Sequence, residues 1–444
     1  MGLTKSTVVF ISGALLVLAS SAAYATVVSR KDFVLIILLV GLSALGLALL
    51  ASLRVSRVWI WLIGLMLAAR IPLFFSAPVL SDDYFRFLWD GRLGALGEDP
   101  YAFVPSEVPA EVKEKIDADG KMLGKMNSPG YYSVYPPLQQ AIFTGIARLG
   151  NGNVAYEILL ARLLFVIADL ISLWLLVRLI ALRQGDPWHA LWFILNPLLI
   201  WEGVGNLHFE AVSVPFILSA ALLYFRYKKP WASLLLFVFG ASFKLRPLML
   251  NVLSIQYPRT WLFAGLGVML VLMPFAFFSS PSLGNFQQSL ALYSKSFEFN
   301  ASVYFLLREI GEWFLGYNPI AWLGPGLQIL AVIVMIVVSI RSNSTEMGQV
   351  LGRALTIYGV YFFFATTIHP WYLIVPAALG IAAGKVWILV WSFAVFLSYS
   401  HYAGNGFNER YEWIAIEYLL VVMAILFESR EWKFRYAMLN RYIK

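Results

Sequence analysis

Phe33–Ala51 reads FVLIILLVGLSALGLALLA. It holds no charge and no proline, over a length that fits the roughly 20 apolar residues a bilayer-spanning helix needs. Comparable runs lie at Thr7–Val28, Val58–Phe75, Ala155–Val177, Trp188–Gly203, Phe209–Tyr224, Trp261–Phe278, Ile320–Ile340, Val350–Ala365, Trp371–Ala383, Val386–Tyr399 and Trp413–Phe427. Trp231–Tyr257 is different, because Lys244, Arg246 and Pro247 sit at its centre. It is read as two half-length helices bent into a hairpin at Lys244–Pro247, since irregular backbone at membrane depth survives only where protein or water covers it. The expected fold is therefore all-α: a polytopic helical bundle of about fourteen spans with both termini cytoplasmic. It forms a single domain over 1–444, with residues 77–152 as a long extracytoplasmic loop carrying interfacial helices.

Composition agrees. The chain is 60% hydrophobic and 13% charged, whereas soluble domains have about 25% charged residues. With no cysteine, disulfides, thiolate metal sites and a cysteine nucleophile are excluded. The first apolar run follows Lys5 and ends near Ser-Ala-Ala-Tyr-Ala, which fits a signal peptide, but its length favours a retained anchor.

The segments assigned to the cytoplasm hold about half of the 33 Lys and Arg and few of the 25 Asp and Glu, as the positive-inside rule requires. The net charge of +8 is then an inside-positive bias and gives no reason to expect nucleic acid as a partner. Arg30 and Lys31 fall outside against the rule.

The chemically unusual residues gather on that outer side. The long loop opens with Ser81-Asp82-Asp83-Tyr84-Phe85-Arg86-Phe87-Leu88-Trp89-Asp90-Gly91-Arg92. On a helix, Asp83, Arg86 and Asp90 share one face at spacings of three and four. The carboxylates either pair with Arg86 and Arg92 or serve a reaction, and two adjacent aspartates just past a span weaken the pairing reading. Glu107–Lys125 reads as a solvated, charge-rich stretch. Tyr131-Tyr132-Ser133-Val134-Tyr135-Pro136-Pro137 starts a helix, with Tyr135 open to either an interfacial belt or a sugar platform.

Arg162 and Asp169 lie on one span, Asp169 as a structural pair and Arg162 near enough the outer side to reach a site. The corner Asn206-Leu207-His208-Phe209-Glu210 is dense in polar groups. A metal set with Glu202 and helix capping are both open there, and no metal or cofactor is expected. Lys244 and Arg246 at a hairpin apex suit an anion clamp, or else cap broken helix ends. Asn300-Ala301-Ser302 fits a glycosylation sequon.

Together, Asp82-Asp83-Tyr84, Trp89-Asp90-Gly91-Arg92, Gly97-Glu98-Asp99-Pro100-Tyr101, Tyr135-Pro136-Pro137-Leu138, Asn206–Ala211, Phe243–Leu248 and His369-Pro370-Trp371-Tyr372 resemble the signatures of C-fold (GT-C) integral membrane glycosyltransferases. The nearest versions are bacterial polyprenyl-phosphate-mannose-dependent mannosyltransferases; the first mannosyltransferase of GPI-anchor synthesis is more distant. Phe209-Glu210 stands where bacterial relatives often have Asn-Asp, and residues 1–56 look like an added helical hairpin.

The resemblance implies transfer of a sugar, with mannose expected, from a polyprenyl-phosphate donor to a glycan, glycolipid or protein hydroxyl at the outer face of a bacterial inner membrane. Asp83 is the preferred general base and Asp82 the reserve. Arg86, Asp90, Arg92, Tyr135, Asn206, His208, Glu210, Lys244, Arg246, His369 and Tyr372 are the expected donor and substrate contacts. A transporter would place its charged features at both faces or at mid-membrane. Another lipid-linked transferase, an acyltransferase or polymer ligase, is the remaining competitor.

Overall fold

A computed structural model describes residues 4–255, 258–278, 281–342, 344–404 and 406–442. Tyr257, the side chain of Arg259 and the basic side chains beyond Arg430 lie outside the described residues. The chain is all-helical; among the described residues, extended pairing is confined to an isolated bridge between Phe299 and Thr367.

Among the described residues, five helices are long and apolar enough to cross a membrane: Lys5–Val27, Phe33–Ala51, Val58–Phe75, Val154–Leu182 and Ile320–Ile340. Leu198–Gly205 and Glu210–Phe225 make a sixth if the pair, bent by 116°, is counted as one. Val350–Ala365 and Trp413–Phe427 fall on the continuous helices Met347–Phe364 and Tyr411–Tyr442, while others coincide with helices that are shorter or change winding, such as Pro230–Ala241, Arg246–Ser254 and Pro370–Leu373.

Proline explains many of these changes. A proline lacks the amide hydrogen and collides with the carbonyl four residues back. Pro72, Pro187, Pro247, Pro274 and Pro370 each stand in the first turn of a 3-10 segment. The expected bend at Lys244–Pro247 is where helix Pro230–Ala241 stops and the 3-10 segment Arg246–Ser254 begins.

Small residues let the first two helices close into a hairpin. A methyl on Gly13 would lie 2.8 Å from the Gly46 carbonyl, and one on Gly46 2.7 Å from the Gly13 carbonyl. Close backbone approach of this kind is how apolar helices associate where no hydrophobic gradient drives them together.

Buried charges lock the spans. Arg70 and Asp169, each about 1% exposed, join helices Val58–Arg70 and Val154–Leu182 at 2.6 Å. The structural reading of Asp169 thus has its partner. Arg162 does not reach a site. Its guanidinium caps carbonyls left open at two broken helix ends, binding those of Leu73, Ser76, Val204 (3.3 Å) and Gly205 (3.0 Å). Asn300 is 1% exposed and donates to both oxygens of Glu417, at 3.0 and 3.2 Å, so the sequon offers no accessible amide.

The loop 77–152 folds into helices Asp83–Leu96, Ala110–Ile116, Lys121–Lys125 and Pro137–Gly150. The first and last of these pack closely. A methyl on Gly91 would lie 2.5 Å from the Phe143 carbonyl. Residues Tyr84 to Gly91 are all buried, so helix Asp83–Leu96 packs inside the protein over most of its surface.

Candidate active site

Asp83 occupies the first turn of helix Asp83–Leu96, where the helix dipole favours a carboxylate. Its backbone N–H donates to Ser81 Oγ at 3.2 Å, and its side chain accepts from Asn127 Nδ2 at 2.8 Å. Burial pushes its pKa up from the ordinary value, with the Asn127 hydrogen bond and the Lys244 charge acting against it. Arg86, which the helix spacing sets on the same face, does not pair with Asp83. Arg86 is committed to Asp90 at 2.7 Å and to the Tyr131 carbonyl at 2.8 Å.

Asp82 turns to Arg30, 2.6 Å away in the turn of the N-terminal hairpin. Arg30, which stood against the charge rule, therefore has a partner beside the start of helix Asp83–Leu96.

Lys244 and Arg246 converge on one carboxylate. Glu210 Oε1 is 3.6 Å from the ammonium and 3.1 Å from the guanidinium. One anion against two cations leaves the group net positive. Arg246 lies over the Tyr372 ring at 3.2 Å, and Lys244 over Tyr135 at 5.0 Å. Next to them runs an aromatic stack. His369 stacks on Phe299 (4.5 Å) and on Trp371 (4.4 Å), and His208 also stacks on Trp371 at 3.7 Å.

Asp83, Lys244, Arg246, Tyr135, Tyr372, Phe299, His369 and Trp371 border one cavity of about 980 Å3. Of the expected residues it brings together Asp83, Arg86, Tyr135, Lys244, Arg246, His369 and Tyr372. Glu210 and His208 stand one layer behind. Asp82, Asp90, Arg92 and Asn206 do not line it. Asp90 is fully buried and accepts from Arg86, Ser133 Oγ (2.6 Å) and Gln140 Nε2 (2.9 Å). Arg92 pairs with Glu157 at 3.0 Å and binds the carbonyls of Ile116 and Gly152, stapling the loop together. Asn206 accepts from the Val79 and Leu80 amides at 3.1 Å, fixing the chain just before Asp82.

The corner of Glu202, His208 and Glu210 does not close into a metal set. His208 approaches Glu202 at 3.7 Å while Glu210 turns to the cations. Among the described residues no group of three His, Asp or Glu is placed to hold a metal. Sequence reasoning missed Asn127, Tyr293, Tyr361 and Trp371 of the lining. Trp371 follows the quoted His369-Pro370 and was open to notice; the others carry no local signal.

Fold and site define a class: a multi-pass, all-helical membrane protein whose longest loop sets a carboxylate facing the same cavity as a half-buried pair of cations. Residues 2–256 match the family described as Alpha-(1->6)-mannopyranosyltransferase, N-terminal domain, and the chain belongs to that family. It is 27% identical over 157 residues to Alpha-(1->6)-mannopyranosyltransferase A of Corynebacterium glutamicum, covering 35% of this chain and 30% of that protein. It is 29% identical over 157 residues to an Alpha-(1->6)-mannopyranosyltransferase of Mycobacterium tuberculosis, covering 34% and 24%. The matched stretch thus spans less than a third of either relative. No solved structure matches the chain.

Proposed function

We propose that the protein is a GT-C-type mannosyltransferase that takes mannose from a polyprenyl-phosphate donor, at the extracytoplasmic face of a bacterial inner membrane. The observation that carries this is Asp83 lining the same cavity as Lys244 and Arg246. Transfer needs a base within reach of the acceptor hydroxyl and cations where the phosphate departs. The acceptor oxygen attacks the anomeric carbon as its proton passes to the Asp83 carboxylate. The bond from that carbon to the donor phosphate breaks, and polyprenyl phosphate leaves with its charge held by Lys244 and Arg246. One direct attack inverts the centre, so a β-linked donor gives an α-linked product. The printed names of the relatives support mannose and an α(1→6) linkage. The inside-positive charge distribution supports about fourteen segments with cytoplasmic termini.

The test is mannosyl transfer from a radiolabelled polyprenyl-phosphate donor. Asp83→Asn keeps size and hydrogen bonding but removes basicity, and should lose roughly 10²–10⁴-fold in turnover while still binding donor. Full activity in Asp83→Asn means that the carboxylate is structural.

A further inference from the structure

The cavity lining divides where the family match ends. Asp83, Lys244 and Arg246 fall within residues 2–256, but much of the remaining wall comes from residues 289–409, outside that match. This second part differs in charge. Arg308 holds Glu298 and, at 2.7 Å, Glu409, both of which line the cavity. The same guanidinium meets Glu309 at 2.9 Å and Glu312 at 3.6 Å. Of these carboxylates only Glu298 and Glu409 line the cavity, and two carboxylates on the one Arg308 guanidinium leave that cluster net negative, where the Lys244–Arg246–Glu210 group is positive. Against the upward push of burial, hydrogen bonds from Arg308 and Tyr411 hold Glu409 below its ordinary value, so it stays ionised at neutral pH.

The section also keeps an aromatic surface open. Phe407 lines the cavity yet is 52% exposed, with its ring 6.1 Å from Phe299 and 5.7 Å from Tyr402. Binding pockets combine such apolar faces with a few fixed polar groups. A carboxylate clamped by Arg308 still has lone pairs free to accept. A phosphate would be repelled there.

We propose that Glu298, Phe407 and Glu409 form the acceptor subsite and take a neutral carbohydrate, its apolar ring face on Phe407 and its hydroxyls donating to the two carboxylates. The assignment rests on the transferase reading above. It separates the two substrates by charge, with the donor's phosphate at Lys244 and Arg246 and the uncharged sugar at the acidic section. Acceptor selection then resides in the part of the chain that the family match does not cover.

The experiment compares full-length Phe407→Ala, Phe407→Trp and wild type. In transfer assays with a short α(1→6)-mannan oligosaccharide, Phe407→Ala should raise the acceptor KM about tenfold or more. Donor KM should be unchanged, and Phe407→Trp should restore acceptor use. An unchanged acceptor KM, or a rise in donor KM instead, overturns the subsite. Binding without donor decides it independently: the mannan oligosaccharide, but not a β(1→4)-glucan oligosaccharide, should quench tryptophan fluorescence saturably, and Phe407→Ala should weaken this. That result upholds a carbohydrate subsite even if wild type transfers nothing from the donor, which would defeat only the donor reading. No binding by wild type, or equal binding by Phe407→Ala, overturns it.

Discussion

Asp83 is held between opposing influences. Burial raises its pKa from the ordinary value, while Asn127 and Lys244 lower it. The ionised form is the one that can accept a proton, so activity falls as pH drops through the raised value. The acid limb of kcat/KM should therefore lie above about 3.9, the ordinary aspartate value. Lys244→Met removes a lowering influence, so the limb should move to higher pH as donor KM rises. A limb that stays in place would separate Lys244 from Asp83. Asp82→Asn should cost little turnover, because Asp82 is spent on Arg30 outside the cavity lining; a loss matching Asp83→Asn would exchange the two roles. Asp83, Lys244 and Arg246 were legible in the sequence because a charge beside or within an apolar run needs a reason. The partner of Arg86 was not. Helix spacing sets it near both Asp83 and Asp90, and the choice is made by Ser133 and Gln140, which close around Asp90 from outside that helix.

Charges inside the spans raise the same question for whole helices. A buried ion pair contributes less than its Coulomb energy suggests, because both ions lose their water, but breaking it by removing one partner costs about 3–5 kcal/mol. Asp169→Leu leaves the Arg70 guanidinium unpaired between helices Val58–Arg70 and Val154–Leu182. It should lower the thermal midpoint in detergent markedly, and adding Arg70→Met should recover most of the loss. A double variant as unstable as the single one would show that the pair acts through packing alone. The pairing of Asp169 could be anticipated because an intramembrane carboxylate needs a partner. The role of Arg162 could not, because the carbonyls it caps become free only where Ile71–Phe75 and Leu198–Gly205 break the regular winding.

Across the whole molecule, the apolar segments were legible as helices from length and composition, but the shared cavity was not. Phe299, His369 and Phe407 meet only through tertiary packing, and nothing near Phe407 in the sequence distinguishes it from other aromatic residues at a loop. Charge gives an expectation of orientation, and the Arg30–Asp82 pair bears on one part of it, which segments share a side. That pair puts the turn between the first two helices on the same side as the loop 77–152. In this cysteine-free chain, single cysteines read that geometry directly. Asp119 is exposed in the loop and Tyr227 is 55% exposed among Arg226, Lys228 and Lys229. An impermeant thiol reagent applied to intact cells with the outer membrane permeabilised should label Asp119→Cys and Lys31→Cys. It should reach Tyr227→Cys only after the inner membrane is opened. Labelling of Asp119→Cys and Tyr227→Cys from one side would refute the layout. Labelling of Lys31→Cys and Asp119→Cys from opposite sides would refute the Arg30–Asp82 pair, and with it the reason for assigning Asp83 alone as the base.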